Sequence, residues 1–319
     1  MRHPLIIIGK FVAAIVVLSA CEPAPDAEQP LQRLDSPASP VIYAVNYPLA
    51  YMAARIAGDA ATVELPVPAG LDPAYWRPDA ETIGRYQQAD LILLNGAGYA
   101  AWVQRATLPP GRLVNTSAAV ADRYISIDQA VTHGHGPEGD HNHSELAFTT
   151  WLDTEIAAAQ ARAILHSLIE LRPEQEAEFR AAYELLVLDL RALDGSLEQA
   201  FDDLADGPFI VSHPVYQYLQ RRYDLDAVSV HWEPDRIPDE AQWAELERIL
   251  QGHRARVMIW EAEPLDQVRD RLGALGVEIA VFETAGNRPD RGDFMDAMRR
   301  NQLALTSAAR YLSQGIGGD

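Results

Sequence analysis

The chain has 319 residues, 48% of them hydrophobic, with 46 acidic against 26 basic side chains and a formal charge of −20. That length and apolar fraction suffice for one large or two medium folded domains, which excludes a disordered chain and a small cross-linked scaffold. The acidic balance repels a phosphate backbone and excludes a nucleic-acid binder working by charge neutralisation, and a single cysteine excludes an internal disulfide and any CxxC metal or redox motif.

In chain order, Arg2 and Lys10 precede an apolar run from Phe11 to Ala20. A basic start, a short apolar core too brief to span a bilayer and small residues at its end predict a secretory signal over 1–20, and so an exported protein. Leu18-Ser19-Ala20-Cys21 resembles the lipobox of bacterial lipoproteins. That resemblance implies that Cys21 is lipidated and becomes the new N-terminus, anchoring the chain to a membrane in the periplasm or at the cell surface. Residues 21–40, rich in Pro, Ala, Asp and Glu, read as a flexible tether.

From Val41 the pattern alternates. Strand-like runs at 41–46, 62–67, 90–94 and 112–115 are separated by helical stretches such as 79–88, the signature of a parallel sheet with crossover helices. A helical pattern then runs from about Asp153 to Leu204, broken at Pro173. Its second piece, Glu174 to Leu204, would be about 46 Å long, too long for a simple crossover. Alternation resumes with strands at 209–212, 227–231, 256–260 and 278–282 and helices at 215–223, 240–251, 265–275 and 293–313. The reading is an α/β fold of two Rossmann-like lobes joined by a long backbone helix: an N-terminal lobe over 41–172 that carries a His-rich loop at 133–143, the linking helix over 173–206, and a C-terminal lobe over 207–319. Ligands of open α/β sheets sit beyond the carboxyl ends of the strands, which directs attention to the residues just after each strand.

Those residues carry a resemblance. Tyr47-Pro48-Leu49, the Gly-x-Asp-Pro loop at Gly70 to Pro73, Ala89-Asp90-Leu91 with Asn95-Gly96, Trp102, Trp151-Leu152-Asp153, Val211-Ser212-His213, Tyr223-Asp224-Leu225, Glu233-Pro234 and Glu261 follow one another over nearly all of 41–315. This ordered set resembles the solute-binding lipoproteins of the zinc and manganese ABC importers. The resemblance implies four metal-ligand positions, which fall here on Ala74, Thr149, His213 and Glu283. Alanine offers no donor and threonine a poor one, so two of the four usual ligands remain, whereas tight zinc binding uses about four N, S or O donors. The segment from His133 to His143 holds His133, His135, His141 and His143 at alternating spacing among glycines, a composition suited to labile metal capture and able to supplement the cleft. Asp72 could add an oxygen or simply bond its own turn. His231 follows a strand of the same lobe, and Tyr75, Trp76 and Trp151 either pack the lobes together or line the cleft.

Catalysis has no support: the chain lacks GxSxG, HExxH and P-loop signatures, and its Gly-x-Gly at Gly96 to Gly98 has no dinucleotide-fingerprint continuation. The resemblance implies a monomeric, lipid-anchored receptor that captures Zn²⁺, with Mn²⁺ or another divalent transition metal as alternatives, and delivers it to a permease driven by a cytoplasmic ATPase. The competing reading is a receptor-like scaffold with a degenerate site, binding a metal chelate, an organic solute or a protein partner. A surface scavenger using only the loop lies between them.

Overall fold

A computed structural model of the chain describes residues 39–127, 133–134, 140–141, 146–204 and 207–315. The expected signal, Cys21, the tether up to residue 38, His135 and His143 lie outside the described residues.

Strands β1 (Val41–Ala44), β2 (Thr62–Glu64), β3 (Leu91–Leu94) and β4 (Leu113–Asn115) form a parallel sheet in the order β2-β1-β3-β4. The Leu-Ile-Leu-Leu run of β3 is apolar at every position because this central strand is covered on both faces. Helix α1 (Tyr47–Ala57) begins where Asn46 Oδ1 accepts the Leu49 N–H at 3.2 Å and Pro48 occupies the first turn. Helix α2 (Ala80–Gln88) begins the same way, with Asp79 accepting from the Thr82 N–H at 2.8 Å. A short antiparallel pair, β5 (His133–Gly134) and β6 (Asp140–His141), sets His133 opposite His141.

Helix α3 (Thr154–Leu171) and helix α4 (Glu176–Asp203) follow, split by a 3-10 turn at Pro173–Gln175 because proline cannot continue the preceding helix. The 28 residues of α4 span about 42 Å. The second sheet is also parallel, with β7 (Phe209–Val211), β8 (Ala227–Ser229), β9 (Val257–Trp260) and β10 (Glu278–Val281) in the order β10-β9-β7-β8. Its helices are α5 (Gln217–Arg222), α6 (Glu240–His253), α7 (Asp266–Ala274) and α8 (Phe294–Gly315). The fold class is the one read from the sequence, two parallel α/β lobes with a long helix. Less visible beforehand was that α8 returns to the first lobe, packing on α4 and α1 with the Phe294 ring 5.6 Å from Tyr51.

The lobes are fastened by hydrogen bonds as well as by the helices. Trp151 Nε1 donates to Thr284 O at 2.7 Å, the Tyr47 N–H to Gly286 O at 2.8 Å, and Asn287 Nδ2 to both Pro68 O and Leu71 O at 2.8 Å. On the opposite flank, Thr149 Oγ1 donates to Val215 O and Tyr218 OH to Ala147 O. The buried Asp153 carboxylate caps α3 and pairs with Arg123 at 2.8 Å and with Arg221 of α5 at 3.1 Å.

At the centre of the first lobe, where chain order reverses between β1 and β3, lies a buried polar knot. Asn95 Oδ1 accepts from Asn46 Nδ2 (3.2 Å), Thr150 Oγ1 (3.1 Å) and Gln160 Nε2 (3.1 Å), while Asn95 Nδ2 donates to Phe148 O (2.8 Å). The next residue, Gly96, has φ +83°, and a Cβ there would overlap Ser117 Oγ and Tyr124 OH. Truncating Asn95 strands buried donors on three elements, each costing about 1–3 kcal/mol. Asn95→Ala is therefore expected to destabilise the protein by about 3 kcal/mol or more, read as a lower urea midpoint; an unchanged midpoint would show that the knot does not hold the lobe.

Candidate metal centre

The second sheet presents its ligand-bearing residues in the spatial order of its strands. Glu283 follows β10, Glu261 follows β9, His213 follows β7, and His231 and Glu233 follow β8. Chain order reverses between β7 and β9, so His213 and Glu261 flank the crevice where open α/β sheets take their ligands.

His213 is buried, 4% exposed. Pairing between the β7 and β8 segments continues past the strands, with the Val230 N–H donating to Val211 O at 3.0 Å and the Trp232 N–H to Ser212 O at 2.8 Å. This register brings Glu233 alongside His213, and Glu233 Oε1 lies 3.7 Å from His213 Nδ1. The His231 ring stands edge-on to His213, with centroids 6.3 Å apart. These three, with Arg236, line a cavity of about 220 Å³.

Glu261 is half-buried, and burial first, then the charges of Asp72 and Glu233, push its carboxyl up to about 8. The Tyr75 phenol is raised by burial and then by Asp72, Glu261 and Glu233. Tyr75 thus stands among carboxylates contributed by both lobes. On the first lobe, Asp72 closes its own turn, accepting from the Ala74 N–H at 2.8 Å, the local role open to it in an Asp-Pro loop. Trp76 packs edge-on to Trp102 and Trp151 is buried, its indole spent on Thr284. Thr149 directs its hydroxyl to Val215 O. Among the aromatic candidates, Trp151 joins the lobes, Trp76 packs within the first lobe, and the Tyr75 ring meets Phe148 edge-on.

Glu283 lies in a different cavity from His213, an interlobe cleft of about 660 Å³ lined also by Asp72, Glu261, Asn287 and Arg300. Its backbone is clamped by the buried Asn301 of α8, which accepts from the Glu283 N–H at 2.9 Å and donates to Glu283 O at 2.8 Å, and its carboxylate faces Arg300 at 3.5 Å. Two strand spacings, about 10 Å, separate the ends of β7 and β10. The structure therefore does not bring His213 and Glu283 together, and among the described residues no three His, Cys, Asp or Glu side chains already converge as a metal group. It does bring together His213 and Glu233, with Glu261 on the neighbouring strand. In the sequence Glu233 and Glu261 stand only as points of resemblance; the signal available for them is that Glu261 directly follows β9 and Glu233 lies in the segment after β8.

The raised Glu261 pKa has a consequence for stability. A carboxyl shifted from 4.5 in the unfolded chain to about 8 in the folded one binds more protons when folded between those values. Its stability contribution is therefore complete below about pH 4.5 and lost progressively as pH rises to about 8. In chelator-treated protein the thermal midpoint is expected to fall over this range, and Glu261→Gln to flatten the fall. A slope retained in that variant would place its origin elsewhere.

Comparison with known proteins agrees with this architecture. The family model for periplasmic component A of the zinc-uptake complex matches residues 42–308. The zinc-binding lipoprotein AdcA of Streptococcus pneumoniae is 27% identical over 271 residues, covering 81% of this chain and 54% of AdcA, so the chain spans about half that relative's length. The high-affinity zinc uptake system protein ZnuA of Bacillus subtilis is 25% identical over 275 residues, covering 81% of this chain and 84% of that protein. The Zn(II)-bound ZnuA-like domain of Streptococcus pneumoniae AdcA superposes with a TM-score of 0.72 at 20% identity, covering 85% of this chain and 99% of the domain, which bears on the fold alone. With two parallel lobes, a bridging helix and a model match over most of its length, the chain belongs to the family of the periplasmic component A of zinc-uptake complexes.

Proposed function

We propose that the protein is an extracytoplasmic substrate-binding component of a metal importer rather than an enzyme, with Zn²⁺ as its cargo and Mn²⁺ as the alternative. The observation that carries this reading is His213, a buried imidazole at the carboxyl end of β7, beside the topological switch point of a fold whose relatives include a zinc-binding lipoprotein and a zinc uptake system protein. Neutral imidazole and carboxylate oxygen are suitable zinc donors, and the same neighbouring charges of Asp72 and Glu233 that raise the Glu261 carboxyl favour a cation. His133, His135, His141 and His143 form a second source of nitrogen donors in the chain. Glu283 would join the site only by leaving Arg300.

In this reading Cys21 carries the lipid anchor, the processed chain acts as a monomer outside the cytoplasm, and it hands its ion to a permease coupled to a cytoplasmic ATPase. The cross-lobe hydrogen bonds support small lobe movements rather than wide hinge closure, since opening the lobes would have to break them.

Chelator competition tests the proposal directly. Zn²⁺ titrated into residues 22–319, and into the same chain lacking 133–143, is expected to bind with submicromolar affinity in both cases. His213→Ala is expected to weaken that binding at least tenfold, about 1.4 kcal/mol. Binding that disappears with the loop, or is indifferent to His213, would remove the cleft from the function and leave loop capture or another ligand.

A further inference from the structure

We infer that Glu233 is the positioning residue for His213, holding the imidazole as the Nδ1–H tautomer so that Nε2 faces outward as the metal donor. The inference rests on the metal-receptor reading above and adds a role that the resemblance does not supply.

Backbone register sets the contact. Because the 230–232 segment continues to pair with 211–212 beyond the ends of β7 and β8, the chain delivers Glu233 to the side of the His213 ring. Arg236 N–H then bonds back to Glu233 O at 3.2 Å, closing a turn that holds the residue at this place. The contact falls on one particular ring atom: Glu233 Oε1 is 3.7 Å from Nδ1. Histidines that bind metals through one nitrogen characteristically donate the other N–H to a carboxylate, which selects the tautomer, orients the ring and raises the basicity of the ligating nitrogen. The 3.7 Å separation is longer than a hydrogen bond, and the inference requires half-buried Glu233 to move closer to accept from Nδ1–H.

The arrangement also accounts for a carboxylate beside a buried histidine in a site poor in ligands. With alanine and threonine at two of the positions the resemblance assigns to ligands, the donor quality of the His213 imidazole gains weight, and a carboxylate on its far nitrogen raises it. Glu261 and Asp72 do not fill this role: Asp72 is turned into its own loop, and Glu261 lies on the strand at the other side of β7. Glu283 is directed to Arg300.

Two readouts on the whole chain test the inference, one of them independent of metal. Nitrogen-15 chemical shifts of His213 in metal-free protein are expected to report Nδ1–H in the native chain and a shift toward Nε2–H in Glu233→Gln, with Glu233→Asp restoring the native tautomer. Zn²⁺ competition is expected to show a loss of about 10- to 100-fold in Glu233→Gln, with partial recovery in Glu233→Asp. A Glu233→Gln variant within threefold of the native affinity would overturn the assignment. So would a lower affinity with an unchanged tautomer, since that outcome belongs to a general structural role. A native chain that binds no zinc yet shows the tautomer shift would overturn the receptor reading and leave the pairing itself standing.

Discussion

A single buried amide sets the geometry on which the first lobe's contribution to the cleft depends. Asn95 receives three donors from the loop before α1, the turn before α3 and α3 itself, and gives its own N–H to Phe148 O. Each of those segments continues toward the cleft: Asn46 into the cap of α1, Phe148 and Thr150 on either side of Thr149. In a low-dielectric interior none of these polar groups has water to fall back on, so losing any of the knot's hydrogen bonds is costly. The positions of Thr149 and Trp151 at the lobe junction follow from it.

The second lobe places its site by strand order. A parallel sheet wound in two directions leaves a crevice where the direction changes, and here the crevice is bordered by His213 and Glu261. Carboxylates from three separate loops, Asp72, Glu233 and Glu261, then act on one another and on Tyr75 across the junction. Among the described residues no metal group is preassembled there, and His213 is the buried imidazole beside these carboxyl groups.

The same architecture restrains movement. Five hydrogen bonds tie the Thr284 to Arg288 segment to the first lobe, through Trp151, Tyr47, the two bonds of Asn287 and Arg288 with Leu65 O. Helices α4 and α8 lie along both lobes, with α8 also clamping Glu283 through Asn301. Opening the lobes would have to break these bonds, so the architecture favours small side-chain and loop adjustments over wide hinge movement.

Much of this was legible in the residues. Alternating apolar runs and helical periods located the strands of both sheets and the long helix within a few residues, because parallel strands must be apolar on both faces and helices must repeat near 3.6. The buried histidine after β7 was legible for the same reason: position after a strand is a local property. Packing decided what local pattern could not. Whether Trp76 and Trp151 line a cleft or pack depends on which surfaces meet: Trp151 bonds across the lobes to Thr284, while Trp76 packs on Trp102 within the first lobe. Whether His213 pairs with Glu283 or Glu233 depends on strand order, and the sequence spacing of 70 residues in one case and 20 in the other carries no such information. By itself, then, the sequence determined the elements, the two-lobed class and the chemistry available at the strand ends. Only the tertiary structure decided which of those groups are neighbours, since neighbours across a sheet are chosen by winding and register rather than by distance along the chain.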